Sequence, residues 1–304
     1  MWETKDHGFG EELCKKFLAY QRARGHCALN SEKAYRFDVA QFLGFLWYSQ
    51  PEQPERGFLS VEQLARAAQP SDIKAFVAWL QAAKNSSATI ARKLAVVRSL
   101  YKYLLATGQV FYSPAGDIRI PKLPKREARV IAEKTVQALL EAINHQTWLG
   151  WRDESAVRLL ASTGMRIKEL VALDRSDVLL DKAAVRIRRG SRVLEVPLSA
   201  GAVESIVRYL RLRDEALLNK PACAALLVNK AGGRLSSRGL RRRLSRISAL
   251  TGMSPITPRD LRSFFTVTML RKGAPLDEIR RVLGHVNKRT IRAYLKVVHS
   301  VHNN

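Results

Sequence analysis

The sequence is poor in cysteine, in acidic residues and in long apolar runs. Its three cysteines, Cys14, Cys27 and Cys223, are odd in number and far apart. This spacing argues against a disulfide framework or a zinc site and fits a reducing compartment. No apolar run approaches the roughly 18 residues of a transmembrane helix, and the first residues lack the pattern of a signal peptide. We therefore expect a cytoplasmic protein rather than a secreted or membrane-spanning one.

The scarcity of acidic residues leaves a large positive charge. Lys and Arg total 52 against 27 Asp and Glu, so the formal net charge is +25 at pH 7. Apolar residues make up 46%, enough for a folded core and too many for a disordered basic tail. Nucleic acid is the foremost candidate partner, because Lys and Arg contacts release counterions from phosphates. An anionic membrane surface or ribosomal RNA would explain the charge equally well.

The length of 304 residues predicts two domains, since a domain usually has about 100–200 residues. The first domain, residues 1–108, is predicted as four or five helices without a convincing strand. Its helices are expected over residues 11–24, after a cap at Asn30 and Ser31, after a capping box at residues 60–63, from Ser71, and over residues 87–106.

Residues 109–127 differ in character, because Pro114, Pro121 and Pro124 interrupt a basic segment. This proline spacing favours an extended, semi-rigid connector. The connector is either a strap that lies along DNA or an ordinary solvated linker.

The second domain is predicted over residues 128–304. Helices with one small hairpin make the fold class mainly α with a small β-sheet (α+β). The predicted elements are helices over residues 133–143, 154–161, 166–173, 238–247 and 277–283, a helix capped by Ser199, a hairpin over residues 184–198 with its turn at 189–191, and a short strand at 226–228.

Arginines stand at the predicted starts of two helices in the second domain. Arg166 follows a glycine turn and opens a helix. Thr257 is expected to cap another helix, on which Arg259 and Arg262 are three residues apart and share one face. Guanidinium groups beside a helix N-terminus form an anion-binding arrangement. Taken singly, each arginine is equally well explained as surface charge.

A histidine and a tyrosine follow near the end of the chain. His285 comes directly after Gly284, which is expected to end a helix, and Tyr294 follows nine residues later. A lone histidine after a glycine cap is usually structural. Tyr294 has helical spacing with Ile291 and Leu295, which by itself favours an ordinary core tyrosine.

Together these segments resemble the tyrosine recombinase family of Xer-type recombinases and phage integrases. The resemblance spans nearly the whole chain, and it implies a C-shaped clamp made of a helical core-binding domain and a catalytic domain. The motifs that carry it are, in order, Thr163-Gly-x-Arg166-x-x-Glu169-Leu, a hairpin, Thr257-Pro-x-Asp-Leu-Arg262, Leu283-Gly-His285 and Tyr294.

The resemblance implies that Arg166 and Arg262 hold the scissile phosphate and that His285 donates a hydrogen bond to it. Tyr294 would attack the phosphorus, giving a 3′-phosphotyrosyl bond and a free 5′-hydroxyl. A phenol has a pKa near 10, so it needs help to lose its proton and positive surroundings for the developing charge. No metal, cofactor or ATP is implied. Glu169 is expected to orient an arginine or to pack structurally.

Two positions depart from the family pattern. Arg189 stands where the family usually has a lysine in the hairpin turn, and Arg259 stands where it usually has a histidine. In the family the lysine protonates the leaving 5′-oxygen and the histidine assists proton transfer at the tyrosine, whereas arginine is a poor acid and a worse base. We include both arginines in the predicted site, since their charge suits phosphate. Lys168 and Lys182 are alternative acids.

The leading hypothesis is a site-specific DNA recombinase or integrase of the bacterial cytoplasm, associated with the nucleoid. The resemblance implies that the substrate is duplex DNA with an inverted-repeat core site. It also implies a homotetramer or a mixed tetramer on synapsed DNA, with accessory proteins as possible partners and no membrane partner. Sequence preference is expected to reside in residues 87–106 and 238–246.

Two alternatives remain open at this point. The departures at Arg189 and Arg259 favour a DNA-binding relative with weak or partner-dependent cleavage. An enzyme like a type IB topoisomerase would share the chemistry, although the helical first domain disfavours it. Val297, Val298 and Val301 are expected to form either a short segment exchanged between subunits or a frayed tail.

Overall fold

The computed structural model describes residues 10–25, 29–49, 60–119 and 129–284, together with Ile291, Tyr294 and Leu295. The chain divides into two compact units, Met1–Lys125 and Arg126–Asn304. The division falls inside the segment that the sequence analysis treats as a linker. None of the helices within the described ranges combines the length and apolar character that a bilayer-spanning segment requires.

The described part of the first unit consists of five helices. They are α1 (Glu11–Ala23), α2 (Leu29–Tyr48), α3 (Val61–Ala67), α4 (Pro70–Ala82) and α5 (Ser87–Ala106). The prediction for α5 is confirmed at both ends, because Ser86 accepts a hydrogen bond from the backbone N–H of Thr89 and Gly108 follows the helix with φ of 66°. The capping box at Ser60 and Gln63 is also confirmed, with bonds of 3.2 and 2.6 Å.

Two predicted helix starts are wrong. Asn30 and Ser31 lie within α2 rather than capping it. Helix α4 begins at Pro70, one residue before the predicted start, because proline suits the first helical position. There the carboxylate of Asp72 accepts a hydrogen bond from the backbone N–H of Gln69 at 2.8 Å.

Aromatic side chains fill the core of the first unit. The ring of Phe42 lies 5.2 Å from that of Phe76 and 6.2 Å from that of Tyr101, measured between centroids. Burial raises the pKa of Tyr101, whose hydroxyl donates to the carbonyl of Ala65 at 2.8 Å. These contacts tie α2, α3, α4 and α5 into one core.

The first part of the predicted linker packs on this core. Ala115 and Ile118 are buried, and Arg98 on α5 donates to the carbonyl of Ala115 at 3.0 Å. The prediction of an extended connector therefore fails for residues 109–119, because their apolar side chains have a core to cover. Residues 120–127 lie outside the described residues.

The described part of the second unit contains seven helices and three strands. The helices are α6 (Glu133–Glu141), α7 (Trp148–Thr163), α8 (Ile167–Ala172), α9 (Ala200–Ala216), α10 (Ser237–Leu250), α11 (Pro258–Arg271) and α12 (Leu276–Leu283). The strands are β1 (Val178–Leu179), β2 (Ala184–Arg189) and β3 (Arg192–Pro197). Helix α7 packs against α9 and α11. It is longer than predicted, because it is buried on most sides and its sequence has little amphipathic periodicity.

The predicted hairpin is confirmed as β2 and β3, which pair antiparallel up to Arg189 opposite Arg192. Gly190, with φ of 61°, and Ser191 form the turn. Strand β1 pairs antiparallel with β2 as a third strand. It was not predicted, because two residues are too few to show an alternation of apolar and polar side chains.

The short strand predicted at residues 226–228 is not formed. Leu226 donates its backbone N–H to the carbonyl of Leu173 at 2.8 Å, and Val228 forms only an isolated bridge with Arg234. The segment is apolar because it is fully buried. Its backbone groups bond to separate partners rather than to one neighbouring strand.

A buried ion pair links α2 to α5. Asp38 is 1% exposed and Lys93 is 3% exposed. The ammonium of Lys93 donates to the Asp38 carboxylate at 2.9 Å and to the Gln41 side chain at 2.5 Å. Arg92 also donates to Asp38. Removing either buried partner alone would leave the other charge without compensation.

We expect Asp38→Ala to lower the free energy of unfolding by about 3–5 kcal/mol, because Lys93 would remain buried and unpaired. The double variant Asp38→Leu with Lys93→Met should recover most of that loss. Urea unfolding of the full chain measures both. A double variant no more stable than Asp38→Ala would contradict the claim that the unpaired buried charge of Lys93 causes the loss.

Candidate functional site

A glycine turn places Arg166 at the start of α8. Gly164 ends α7 with φ of 60°, and a Cβ there would lie 2.3 Å from a ring carbon of Phe265. Only glycine suits both the backbone conformation and the close packing. Arg166 is the N-cap residue of α8, and its backbone N–H donates to the carboxylate of Glu169 at 2.7 Å.

The carboxylate of Glu169 joins two arginine side chains. Its oxygens accept from Nη1 of Arg166 at 2.8 Å and from Nε and Nη2 of Arg189 at 2.8 and 3.1 Å. Burial alone would raise the pKa of Glu169, but the hydrogen bonds from Arg189 and Arg166 outweigh it and hold the pKa below its ordinary value. Glu169 therefore orients two arginines, of which sequence analysis considered one.

The C-terminal end of α12 binds three arginines through consecutive carbonyl oxygens. Such an end carries partial negative charge, which suits cationic donors. The pairs are Arg189 Nη1 with Val282 at 2.6 Å, Arg262 Nη2 with Leu283 at 2.6 Å, and Arg166 Nη2 with Gly284 at 3.0 Å. Three segments far apart in sequence thus converge on one turn.

The charged form of Arg262 is destabilised by burial and by a neighbouring arginine. Its Nη1 also donates to the carbonyl of Gly164 at 2.5 Å. Burial and the neighbouring charge of Arg166 lower the pKa of Arg262 to about 10, so the group is still cationic at neutral pH. An anion bound beside Arg262 would stabilise its charged form and so offset both effects. The electrostatics therefore suit an anionic ligand.

The start of α11 is built as the sequence predicts. Thr257 and Asp260 form a capping box, in which Thr257 accepts from the backbone of Asp260 at 3.3 Å and the carboxylate of Asp260 accepts from Thr257 at 2.8 Å. Arg259 is exposed on the first turn. Its side chain makes no hydrogen bond or ion pair with any described residue, so the structure does not join it to the other three arginines.

Tyr294 is buried against α11 through a residue that sequence analysis missed. Its hydroxyl lies 2.8 Å from Oγ of Ser263, which in turn donates to the carbonyl of Arg259 at 3.0 Å. A serine hydroxyl has one proton, so Tyr294 is the donor to Ser263. Ser263 directly follows Arg262, and this adjacency is the signal that could have identified it.

The structure thus brings Arg166, Arg189 and Arg262 together and places Tyr294 against the helix that carries Arg262, through Ser263. His285 lies outside the described residues, as do Val297, Val298 and Val301. The alternative acids Lys168 and Lys182 are exposed. Among the described side chains, no group of three or more His, Cys, Asp or Glu is placed to hold a metal ion.

Helix α10 presents a second basic surface. Its inner edge is anchored by Arg243, whose Nε donates to the buried carboxylate of Asp153 at 2.7 Å. A row of arginines without acidic partners on the same helix suits contacts to phosphate. The exposed arginines of α10 are Arg238, Arg241, Arg242 and Arg246.

Two family models match the chain. The phage integrase family matches residues 129–300, and the N-terminal SAM-like domain of phage integrases matches residues 14–108. The intervening residues coincide with the predicted linker.

Among curated relatives, tyrosine recombinase XerC of Pelotomaculum thermopropionicum is 31% identical over 92% of this chain and 92% of its own length. XerC of Herpetosiphon aurantiacus is 29% identical over 94% and 91%. XerD of Listeria monocytogenes is 28% identical over 94% of each.

Solved structures share the fold. The Tn1549 transposon integrase in complex with transposon right end DNA has a TM-score of 0.71 at 16% identity, covering 93% of this chain and 94% of that one. A lambda integrase dimer bound to a COC′ core site has a TM-score of 0.69 at 15% identity, with the same coverage. The XerA recombinase has a TM-score of 0.51 at 24% identity, covering 97% and 99%.

We expect Glu169→Gln to lower the free energy of unfolding at pH 7 by about 2–4 kcal/mol, because two arginines lose their counter-charge. The pKa of Glu169 is lower in the folded than in the unfolded state. Its stabilisation is therefore complete above about pH 5 and is lost as the pH falls through the folded-state pKa. Urea unfolding of wild type and Glu169→Gln between pH 7 and pH 3 should show that the difference between their free energies of unfolding becomes smaller in acid. A difference independent of pH would refute this account.

We expect Gly284→Ala to destabilise the protein more than Gly190→Ala. Both glycines have positive φ, of 65° and 61°, so each alanine costs about 1–2 kcal/mol in backbone strain. Nothing lies within 4 Å of a Cβ on Gly190, whereas a Cβ on Gly284 would lie 2.8 Å from Nη1 of Arg189. Displacing that side chain should add about 1–3 kcal/mol. Equal losses in urea unfolding would show that Arg189 is not packed on this turn.

Proposed function

The chain belongs to the phage integrase family and is a tyrosine-type site-specific DNA recombinase, and we propose that Tyr294 is the nucleophile that cuts and rejoins the DNA strands. The observation that supports this proposal is the set of three converging arginines, with Tyr294 held against the helix that supplies Arg262. Such a cluster suits an anion, and the hydroxyl of Tyr294 is bonded to Ser263, the residue that follows Arg262.

Arg166 and Arg262 are proposed to hold the nonbridging oxygens of the scissile phosphate. A guanidinium has five N–H groups, and the bonds of each side chain to described residues leave some of them for a ligand. The side chain of Arg166 is 48% exposed, so a phosphate can reach it. The anchored nitrogens fix each side chain in place, and the remaining ones bind the oxygens.

Strand cleavage is proposed as a transesterification. The oxygen of Tyr294 forms a bond to phosphorus while the bond from phosphorus to the 5′-oxygen breaks, which leaves a 3′-phosphotyrosyl link. Tyr294 gives up one proton and the leaving oxygen takes up one, so no net proton is consumed. A 5′-hydroxyl from another strand reverses the step, and one phosphate ester is exchanged for another without ATP.

The other predicted site residues contribute to phosphate binding in this proposal. His285 would donate a hydrogen bond to the phosphate, as the motif Leu283-Gly-His285 suggests. Arg259, free of partners among the described residues at the start of α11, would contact DNA phosphate. The exposed arginines of α10 would contact the duplex nearby.

Duplex DNA with an inverted-repeat core site is the proposed substrate, and a tetramer of one or two kinds of chain is the proposed assembly. The net charge of +25 supports DNA binding. Among the structural relatives, lambda integrase is seen as a dimer on a core site and as a tetramer on a Holliday junction. The proposed division of labour assigns DNA binding to residues 1–108 and catalysis to residues 128–304, joined by residues 109–127. The named relatives are bacterial, and the proposed location is the bacterial cytoplasm, in association with the nucleoid.

One observation favours a second candidate, a recombinase that cleaves weakly or only beside a partner. Arg189 occupies the position of the family's lysine, and its guanidinium is bound to Glu169. A chain that lacks its own proton donor would bind the site tightly and depend on another protomer for cleavage.

We expect wild-type protein to form an SDS-stable adduct on a nicked duplex that carries its preferred site, selected by binding from a random pool. Tyr294→Phe should bind the same duplex and form no adduct, because the attacking oxygen is missing. Tyr112→Phe, which alters an exposed tyrosine of the first unit, is the matched control and should keep the adduct.

An adduct that survives in Tyr294→Phe would overturn the assignment of the nucleophile. Tight, sequence-specific binding by wild-type protein without an adduct would favour the second candidate.

A further inference from the structure

Protein groups bind all three nitrogen atoms of the Arg189 guanidinium. Nε and Nη2 donate to the two oxygens of Glu169 at 2.8 and 3.1 Å, and Nη1 donates to the carbonyl of Val282 at 2.6 Å. The side chain is 15% exposed, against 48% for Arg166. Arg189 therefore faces the protein, whereas Arg166 faces solvent.

The turn at the end of α12 packs directly on this side chain. Gly284 has φ of 65°, and a Cβ there would lie 2.8 Å from Nη1 and 3.0 Å from Cδ of Arg189. The backbone that leads to His285 thus follows the surface of the arginine. If Arg189 moved toward DNA, Glu169 would lose one of its two arginine partners. The turn at Gly284 would also lose the side chain on which it packs.

Arginine suits this position better than the lysine that the family usually has there. The planar guanidinium binds both oxygens of a carboxylate at once and still has a nitrogen for the Val282 carbonyl. A lysine has one nitrogen and cannot reproduce the paired bonds. Arginine is also, as a residue type, a poor acid for protonating a leaving group.

We propose that Arg189 is a positioning residue and not the proton donor to the leaving 5′-oxygen. It joins β2 to α8 through Glu169 and to the end of α12 through Val282. Arg166 shares the same carboxylate and binds the carbonyl of Gly284, so the link sets the orientation of a phosphate-binding arginine. The leaving oxygen takes its proton from a group other than Arg189. This inference rests on the proposed function.

The test compares two nicked duplexes in single-turnover cleavage, one with the natural 5′-oxygen at the scissile phosphate and one with sulfur in its place. A thiolate leaves without being protonated, so sulfur compensates for a missing proton donor. We expect Arg189→Ala to slow cleavage of both duplexes by the same factor, roughly 10- to 100-fold, because the phosphate site is misplaced. Arg189→Lys should also be slow on both. Recovery of either variant by sulfur would overturn the proposal.

The controls separate slower chemistry from loss of folded protein. Rates are compared at saturating DNA, and the final amount of adduct gives the fraction of active protein. Arg186→Ala is the matched control, because Arg186 lies on the same strand in an exposed pair with Glu195 and bonds to none of the described residues of the site. It should cleave both duplexes as wild type does.

A double-variant cycle tests the link without requiring cleavage. If Arg189 acts through Glu169, Arg189→Ala with Glu169→Gln should lower the unfolding midpoint by less than the sum of the two single losses, because both single variants break the same Arg189–Glu169 bonds. Additive losses would overturn the proposal. Absence of an adduct on both duplexes with wild-type protein would instead count against the proposed function, and the cycle would still decide how Arg189 is held.

Discussion

The arrangement of the site depends on one carboxylate that is shared by two arginines. Guanidinium groups that converge on a phosphate repel one another when the phosphate is absent, and a protein must offset this repulsion without filling the anion site. Glu169 does so from behind Arg166 and Arg189, and the carbonyl oxygens at the end of α12 add partial negative charge. The side chain of Arg166 is thereby held in place, with N–H groups left for a ligand.

The same constraint explains why the second unit needs its small sheet. Strand β2 carries Arg189 to the edge of α8, where Glu169 lies, and the turn at Gly190 returns the chain to β3. Helix α7 ends at Gly164, whose carbonyl accepts from Arg262. Helices α7 and α11 pack together in the core, so the phosphate-binding groups are supported by buried elements rather than by loops.

Local signals in the sequence predicted local structure well. Helix α5, the capping boxes at Ser60 and Thr257, and the β2–β3 hairpin follow from patterns within a few residues. The apolar run at residues 226–228 and the segment 109–119 were misread, because burial against distant residues decides whether an apolar stretch forms a strand, a buried loop or a connector. The length of α7 was underestimated for the same reason.

The sequence by itself determined the family, the two-part organisation and the residues that carry charge and the hydroxyl, because these are properties of residue type and order. Only the tertiary structure decided how they are used. Arg189 was predicted as a phosphate-binding group, and the fold places its guanidinium on Glu169 and Val282. Ser263 gained its contact with Tyr294 in the same way. Partners separated by 20 to 93 positions along the chain meet only when the helices and the hairpin pack. A sequence pattern of a few residues therefore cannot predict these contacts.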